Sequence, residues 1–314
     1  MSSGRSDIEI TAIMITYNSA DHVAASISSI EKALSHLEAE TLVVDNASED
    51  DTVSIAQQCL ERGQVLANDD NLGYASAANV GLRKARGRLT LVMNDDARLE
   101  PGAIDRLIEV LDSDDRIALV GPRIVDSSYE PTHSARVSFP GPGEEWQRIL
   151  DLVLRRDHKR YPAEEAPMAV RWLIAACVLG ETATLRRIGG FNEAFFLYGE
   201  DIDLGRRLRE LGYLSVTVPD AMCVHVGAVT TSKTYTADAR TRRQVRGRSV
   251  YYRLWLPRWV RSLVYIRRSL GLRGQPARLR LFAPLVFWDG PSLKHQRFPD
   301  PIPEPRSEPD DVSR

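Results

Sequence analysis

Long apolar runs are the first thing this sequence lacks. No stretch approaches the ~18 consecutive apolar residues that cross a bilayer, and the N-terminus MSSGRSDIEI has no apolar signal-peptide core. The expectation is a protein kept in the cytoplasm, able to lie on a membrane but not to span it. Cysteine is scarce. Cys59, Cys177 and Cys223 are an odd set without metal-ligand spacing, which speaks against a disulfide framework or a cysteine zinc site and predicts reduced, buried thiols. Net charge is small too, at -2 over 314 residues, so the chain as a whole has no bias toward nucleic acid. The glycine-bearing loop Asn71–Asn79 has neither the Gly-Lys-Ser/Thr of a Walker loop nor the Gly-x-Gly-x-x-Gly of a dinucleotide fold.

What is present is an ordinary globular composition, 43% apolar and 27% charged. The length suits one large domain, or one domain with an extension. Ile8 to Asn18 is a β-branched apolar run that reads as a buried strand. Ser19 or Asp21 is placed to cap the next helix, whose stripe is Val23, Ile27, Ile30 and Leu34. TLVVDNAS is a second strand, followed by a helix behind Asp50 and Asp51. QVLAND is a third strand, and RLTLVMNDD a fourth. Pro101 suits the first turn of a helix through Ile104, Leu107, Ile108 and Leu111. IALVGPRIV is a fifth strand. Alternation of strand and helix predicts an α/β fold with a mainly parallel sheet covered on both faces. Beyond Gly121 the order loosens, and Pro140, Pro142, Pro162 and Pro167 bracket a loop-rich segment. VRWLIAACVLG reads as one buried strand or a pair of short ones. The Pro-rich acidic tail 298–314 is expected to be disordered.

Three strands end in polar clusters: Thr16-Tyr17-Asn18, Asp45-Asn46 and Asn94-Asp95-Asp96. In open parallel sheets, ligands bind outside the carboxyl ends of strands. Any one cluster would pass as turn or capping chemistry; three together point to a shared crevice. The small residues after Asn71 would let a ligand approach the backbone, and the helix they open offers N–H groups to an anion. Adjacent carboxylates repel unless a cation lies near them. Mg²⁺ or Mn²⁺ with a diphosphate would satisfy Asp95 and Asp96, whereas capping of the helix near Pro101 would need a shorter spacing.

A second constellation lies in FFLYGEDIDLGRRLRELGY. Glu200, Asp201 and Asp203 open a helix, where its dipole favours acids. The preceding Phe195, Phe196, Leu197 and Tyr198 would bury that loop and set the acids against a pocket wall, where a carboxylate can act as a general base.

Together these pieces resemble the family 2 glycosyltransferases of the GT-A fold, from about Ile8 to His225. In chain order they are Thr16-Tyr17-Asn18, Val44 to Ser48, Asn71 to Ala75 with Asn79, Asn94-Asp95-Asp96, Gly189 to Glu193, Phe195 to Asp203, and His225. Within the family the chain looks most like bacterial rhamnosyltransferases of O-antigen and cell-wall linker assembly. The resemblance implies a Rossmann-like sheet divided into a nucleotide-sugar half (8–125) and an acceptor half (126–230). It also implies roles. Thr16, Tyr17, Asn18, Asn71, Gly73 and Asn79 would form or support the nucleotide-sugar pocket. Asp45 would accept a hydrogen bond from the base. Asn94 and Asp95 would face the donor. Asp96 and His225 would bind Mg²⁺ or Mn²⁺. Asp201 would be the catalytic base, with Glu200 and Asp203 orienting the acceptor or the loop. One position departs from the family's Asp-x-Asp motif: Asn94 replaces its first acid, bringing no charge and leaving Asp95 and Asp96 as alternative ligands. The implied reaction is inverting transfer from a nucleotide-sugar, dTDP-L-rhamnose by this resemblance, to a polyprenyl-diphosphate-linked N-acetylglucosamine.

Residues 231–297 read as a basic helical extension. From Arg240 to Arg280 there are many arginines and no acid. Tyr251, Trp255 and Trp259 fall at helical spacing, although Pro257 interrupts it. An anionic membrane surface would suit this segment, and so would packing on the domain or on a second subunit as a homodimer. Nucleic acid is the poorest partner. The competing functions are a UDP-sugar-dependent transferase, a non-catalytic nucleotide-sugar-binding scaffold and a nucleotidyltransferase. The scaffold would be expected to lack Asp201. The nucleotidyltransferase would be expected to carry a glycine-rich basic loop where Thr16-Tyr17-Asn18-Ser19-Ala20 stands.

Overall fold

Every residue of β1 (Ile10–Thr16) is buried, as a strand covered on both faces requires. In the computed structural model, which describes residues 8–132, 135–136, 139–140, 165–226, 237–257, 259 and 297–304, β1 lies inside the sheet. It is followed by α1 (Val23–Ala33), β2 (Ala39–Asp45), α2 (Thr52–Cys59), β3 (Gly63–Ala67), α3 (Tyr74–Lys84), β4 (Leu89–Asn94), β5 (Ala97–Leu99), α4 (Ala103–Leu111) and β6 (Ile117–Val125). Short strands β7 (Ala135–Arg136), β8 (Met168–Val170) and β9 (Trp172–Leu173) precede β10 (Cys177–Glu181). Then come α5 (Thr182–Arg187), α6 (Glu200–Glu210), β11 (Leu214–His225) and α7 (Ala237–Trp255).

The sheet order is β3-β2-β1-β4-β10-β6-β11-β5. Strands β3, β2, β1 and β4 are parallel. The parallel run stops there, because β10 enters antiparallel between β4 and β6. Residues alternate along β1 between two cores. Ile10, Ala12 and Met14 pack with Val23, Ile27 and Ile30 of α1. Ile13 and Ile15 pack with Ala75, Ala78 and Leu82 of α3. The period of two thus places one helix layer on each face. Gly81 lets α3 settle close to the sheet, since a Cβ there would crowd the Ile13 side chain.

Several local expectations are corrected. The N-cap position of α1 is taken by His22, which makes no side-chain capping bond, rather than by Ser19 or Asp21. The Ser19 backbone carbonyl instead accepts the N–H groups of His22 and Val23 at 2.9 and 3.0 Å. Helix α4 starts at Ala103, behind Gly102 in a left-handed turn, so Pro101 falls outside its first turn. VRWLIAACVLG is the expected pair of short strands, β9 and β10, with Val170 ending β8. Part of the tail is ordered: Ile302 is buried beside Gly190 and Leu82, and its N–H donates to the Arg186 carbonyl at 2.9 Å. Residues 305–314 lie outside the described residues, as does most of the proline-bracketed segment, 141–164. Cys177 and Cys223 are buried free thiols, and Cys59 is half-buried.

A third apolar cluster joins α6 to α7. Phe195 and Ile202 pack with Tyr251, Tyr252, Leu254 and Trp255. Burying each large side chain is worth about 1.5–3 kcal/mol. Tyr251 and Trp255 therefore face the domain, as packing of this segment on the domain would have it, while Trp259, the third aromatic at that spacing, is exposed. Residues 260–280 lie outside the described residues.

Candidate active site

Strand register gathers the polar strand ends. Thr16 is opposite Asp45, and Ile15 is opposite Asn94, so the three clusters leave the sheet at one level. Just beyond β4, the short β5 turns back and pairs with β11, placing Ala97 opposite His225. This brings together residues far apart in the chain. His225 Nε2 lies 3.0 Å from Asp96 Oδ1 and 3.3 Å from Asn94 Nδ2.

These side chains line a cavity of about 340 Å³. Thr16, Tyr17, Asn71, Gly73, Asn94, Asp95, Asp96 and His225 all reach it, as do Glu200 and Asp201. The two neighbouring acids are turned to different partners. Asp95 accepts the Ser19 hydroxyl and, at 3.4 Å, the Tyr17 N–H. Burial, with Asp96 beside it, pushes its carboxyl up to about 7. Asp96 faces His225. Among the described residues no group of three or more His, Cys, Asp or Glu side chains forms a ready-made metal cage. Asp96 and His225 still offer a hard oxygen and an imidazole nitrogen at one point. Such a pair fits a cation that completes its shell with water and phosphate oxygens.

Other expected donor-binding residues stand behind the cavity wall. Asp45 is 1% exposed and accepts the Thr16 hydroxyl at 2.8 Å and the Ser48 N–H at 2.8 Å. Asn18 has φ +52° and accepts the Glu49 N–H at 2.9 Å. Both shape the loops after β1 and β2 without lining the cavity. Asn79, also buried, donates to the Phe191 carbonyl at 2.7 Å and accepts the Phe191 N–H at 2.9 Å. It anchors α3 to the loop that leads to Phe195. The small residues of α3 serve packing: Ala75, Ala77 and Ala78 are buried in the core. The first N–H of that helix, on Tyr74, donates to the Phe196 carbonyl at 2.8 Å rather than pointing at an anion. Gly73 has φ +82°, and a Cβ there would overlap that same carbonyl oxygen; glycine is required.

On the opposite wall, Gly199 with φ +103° turns the chain into α6. Glu200 and Asp201 then enter the cavity. Asp201 is half-buried; its Oδ1 accepts the Ile202 N–H at 2.8 Å, and burial raises its carboxyl to about 6. Glu200 is buried, Oε2 has no partner, and burial with the Asp201 charge raises it to about 8. Both carboxyls are thus raised by burial, and Glu200 is raised further by the Asp201 charge beside it. Of the two roles expected of Asp203, orienting the acceptor or orienting the loop, the geometry fits the loop. Asp203 is 0% exposed and does not line the cavity. Its Oδ2 accepts Arg207 Nε at 2.7 Å, and its Oδ1 accepts the Trp255 indole N–H at 2.7 Å. Asp203 therefore holds the loop and α7, not a substrate.

Sequence reading missed Arg207, also 0% exposed. Its remaining nitrogens donate to the Ile188 and Gly190 carbonyls, each at 2.7 Å. The Asp203–Arg207 spacing of four on a helix was the available signal. Ser19, which holds Asp95, and Gln244, which reaches the cavity from α7, had none.

The family model "Glycosyl transferase family 2" matches residues 11–170. The chain belongs to glycosyl transferase family 2. The N-acetylglucosaminyl-diphospho-decaprenol L-rhamnosyltransferase of Mycobacterium tuberculosis is 29% identical to this transferase over 245 residues, covering 71% of this chain and 78% of the relative. The dolichol-phosphate mannosyltransferase of Pyrococcus furiosus is 32% identical over 38% of this chain and 34% of its own. Among solved structures, GalNAc-T7 with UDP, GalNAc and Mn²⁺ superposes with a TM-score of 0.57 at 14% identity, covering 93% of this chain and 55% of that one. The mannosyltransferase PcManGT from Pyrobaculum calidifontis, in complex with GDP-Man and Mn²⁺, gives 0.53 at 19% identity, covering 89% and 74%. At such identities these likenesses establish the fold of the transferase, GT-A.

Proposed function

We propose that this transferase moves L-rhamnose from dTDP-L-rhamnose to a polyprenyl-diphosphate-linked N-acetylglucosamine, with inversion at the anomeric carbon. The observation that supports a transfer site is one cavity lined by Asp201 on one wall and by the Asp96–His225 pair on another. The rhamnosyl donor and lipid acceptor rest on the named activity of the mycobacterial relative.

Asp201, ionised above pH of about 6, takes the proton from the acceptor hydroxyl. The freed oxygen pair attacks the anomeric carbon from the face opposite the diphosphate. The bond from that carbon to the diphosphate oxygen breaks, and the nucleoside diphosphate leaves with its electrons. Glu200, protonated beside Asp201, donates a hydrogen bond to a sugar oxygen. Tyr17, Asn71 and Gly73 hold the nucleotide, with Asp45, Asn18 and Asn79 supporting their loops. Asp96 and His225 would hold a divalent cation, Mg²⁺ or Mn²⁺, which neutralises charge on the leaving diphosphate. On this reading the transferase meets its lipid acceptor at the cytoplasmic face; among the described residues no helix is long and apolar enough to cross a membrane.

The test is a donor screen with purified protein. Binding and slow hydrolysis of dTDP-rhamnose, UDP-glucose, UDP-N-acetylglucosamine and GDP-mannose are measured with Mg²⁺, Mn²⁺ or EDTA. The expected result is metal-dependent preference for dTDP-rhamnose. Preference for a UDP-sugar would overturn the rhamnosyl assignment, and metal-independent turnover would remove the cation.

A further inference from the structure

A second groove, about 530 Å³, lies beside the active-site cavity. It is lined by Arg242, Arg243 and Arg246 of α7 together with Leu72, Phe196 and Leu197. Phe196 and Leu197 line the active-site cavity as well, and so does Gln244, the residue after Arg243. Groove and cavity therefore share a wall.

The combination of side chains is unusual for a solvated face. Leu72 is 41% exposed. Arg242 and Arg246 are exposed, one helical turn apart. The Arg243 guanidinium lies over the Phe196 ring, 4.9 Å from its centre. Glu193 also lines the groove. Its carboxylate accepts Asn79 Nδ2 at 2.9 Å and lies 3.5 Å from Arg83, so it is already engaged. The groove is left with cationic charge beside apolar surface. An inorganic anion would leave Leu72 and Phe196 in water. An apolar chain alone would strip water from the arginines without replacing it. A diphosphate joined to an isoprenoid chain satisfies both, since guanidinium groups bind phosphate oxygens in bidentate fashion.

The proposed reaction has two diphosphates. The donor's lies at Asp96. The acceptor's is one sugar ring from the reacting hydroxyl, so it belongs next to the cavity with Asp201 but not inside it. We infer that this groove binds the diphosphate and first isoprene units of the lipid-linked acceptor, a site that rests on the proposed acceptor class. Arg242 and Arg246 clasp the diphosphate, Arg243 with Phe196 forms the boundary to the active site, and Leu72 meets the chain.

The probe is farnesyl diphosphate, which has no sugar to transfer. Its affinity is measured for the full chain, for Arg242→Gln/Arg246→Gln and for Asp96→Asn. The expected result is a loss of at least about tenfold in the arginine double variant, little change in Asp96→Asn, and weaker binding of both farnesol and inorganic pyrophosphate to the unaltered protein. Both arginines are exposed, and an unchanged melting temperature shows that the double variant is folded. A loss confined to Asp96→Asn would place the probe in the donor cavity and overturn the inference. So would equal binding by the double variant, or a double variant that loses only adhesion to phosphatidylglycerol vesicles. Failure of rhamnosyl transfer with farnesyl diphosphate binding intact would count against the donor reading and leave the groove standing.

Discussion

The Trp255 indole N–H donates to Asp203 Oδ1 at 2.7 Å, tying α7 to α6, the helix that presents Asp201. The same carboxylate neutralises Arg207, so a single buried acid joins α6, α7 and, through Arg207, the loop at Ile188 and Gly190. The Arg206 guanidinium adds a further tie, lying 4.7 Å from the centre of the Trp255 ring.

Replacing either partner should be costly for stability rather than for chemistry. Trp255→Phe keeps the ring and removes the donor, for an expected loss of about 1–3 kcal/mol. Asp203→Ala leaves Arg207 buried without a counter-charge, for about 3–5 kcal/mol. Thermal denaturation should rank them in that order. A stable Asp203→Ala protein with impaired turnover would return Asp203 to a catalytic role.

Asp201→Asn should lower kcat by about 10²–10⁴-fold while donor affinity stays unchanged. The carboxyl is raised to about 6 by burial, and only its ionised form accepts a proton. Activity of the unaltered protein should therefore rise with pH through about 6. A rate flat from pH 5 to 7 would remove Asp201 as the base.

Glu200 makes a prediction about stability. Its carboxyl moves from an ordinary 4.5 to about 8 in the folded protein. The folded state thus holds this proton more tightly than the unfolded chain does. The stabilisation is full below about pH 4.5 and is lost as pH rises through about 8. Asp201 acts in the same direction, through about 6. Glu200→Gln, neutral at every pH, should flatten the slope of melting temperature between pH 5 and 8. An unaltered slope would mean that Glu200 is ionised.

Gly247 tests the docking of α7. A Cβ at this position would overlap the Tyr198 carbonyl oxygen. Gly247→Ala should push the helix away from the loop ahead of Glu200. Hydrogen exchange over residues 237–257 should then speed up, and acceptor turnover should fall while donor binding holds. Unchanged exchange would show that the helix accommodates the methyl group.

Strands β1, β2 and β4 are legible in the chain, because their apolar residues are continuous and their polar residues stop at one edge. The crevice was legible for the same reason, and the resemblance to family 2 glycosyltransferases pointed to Asp96, His225 and Asp201, which line one cavity. Tertiary structure decided which neighbour each acid faces. Asp95 and Asp96 are adjacent in the chain, yet Ser19 takes one and His225 the other. That choice depends on β5 folding back onto β11, a three-residue strand too short to have a period. Asp203 looked like a third site acid because helix starts favour acids. Its removal from the cavity depends on Trp255, 52 positions away. The aromatic residues of the basic segment suited a membrane as well as a core, since both bury the same surface. Tertiary packing buries Tyr251 and Trp255 against Phe195 and Ile202, while Trp259, at the same spacing, stays 56% exposed.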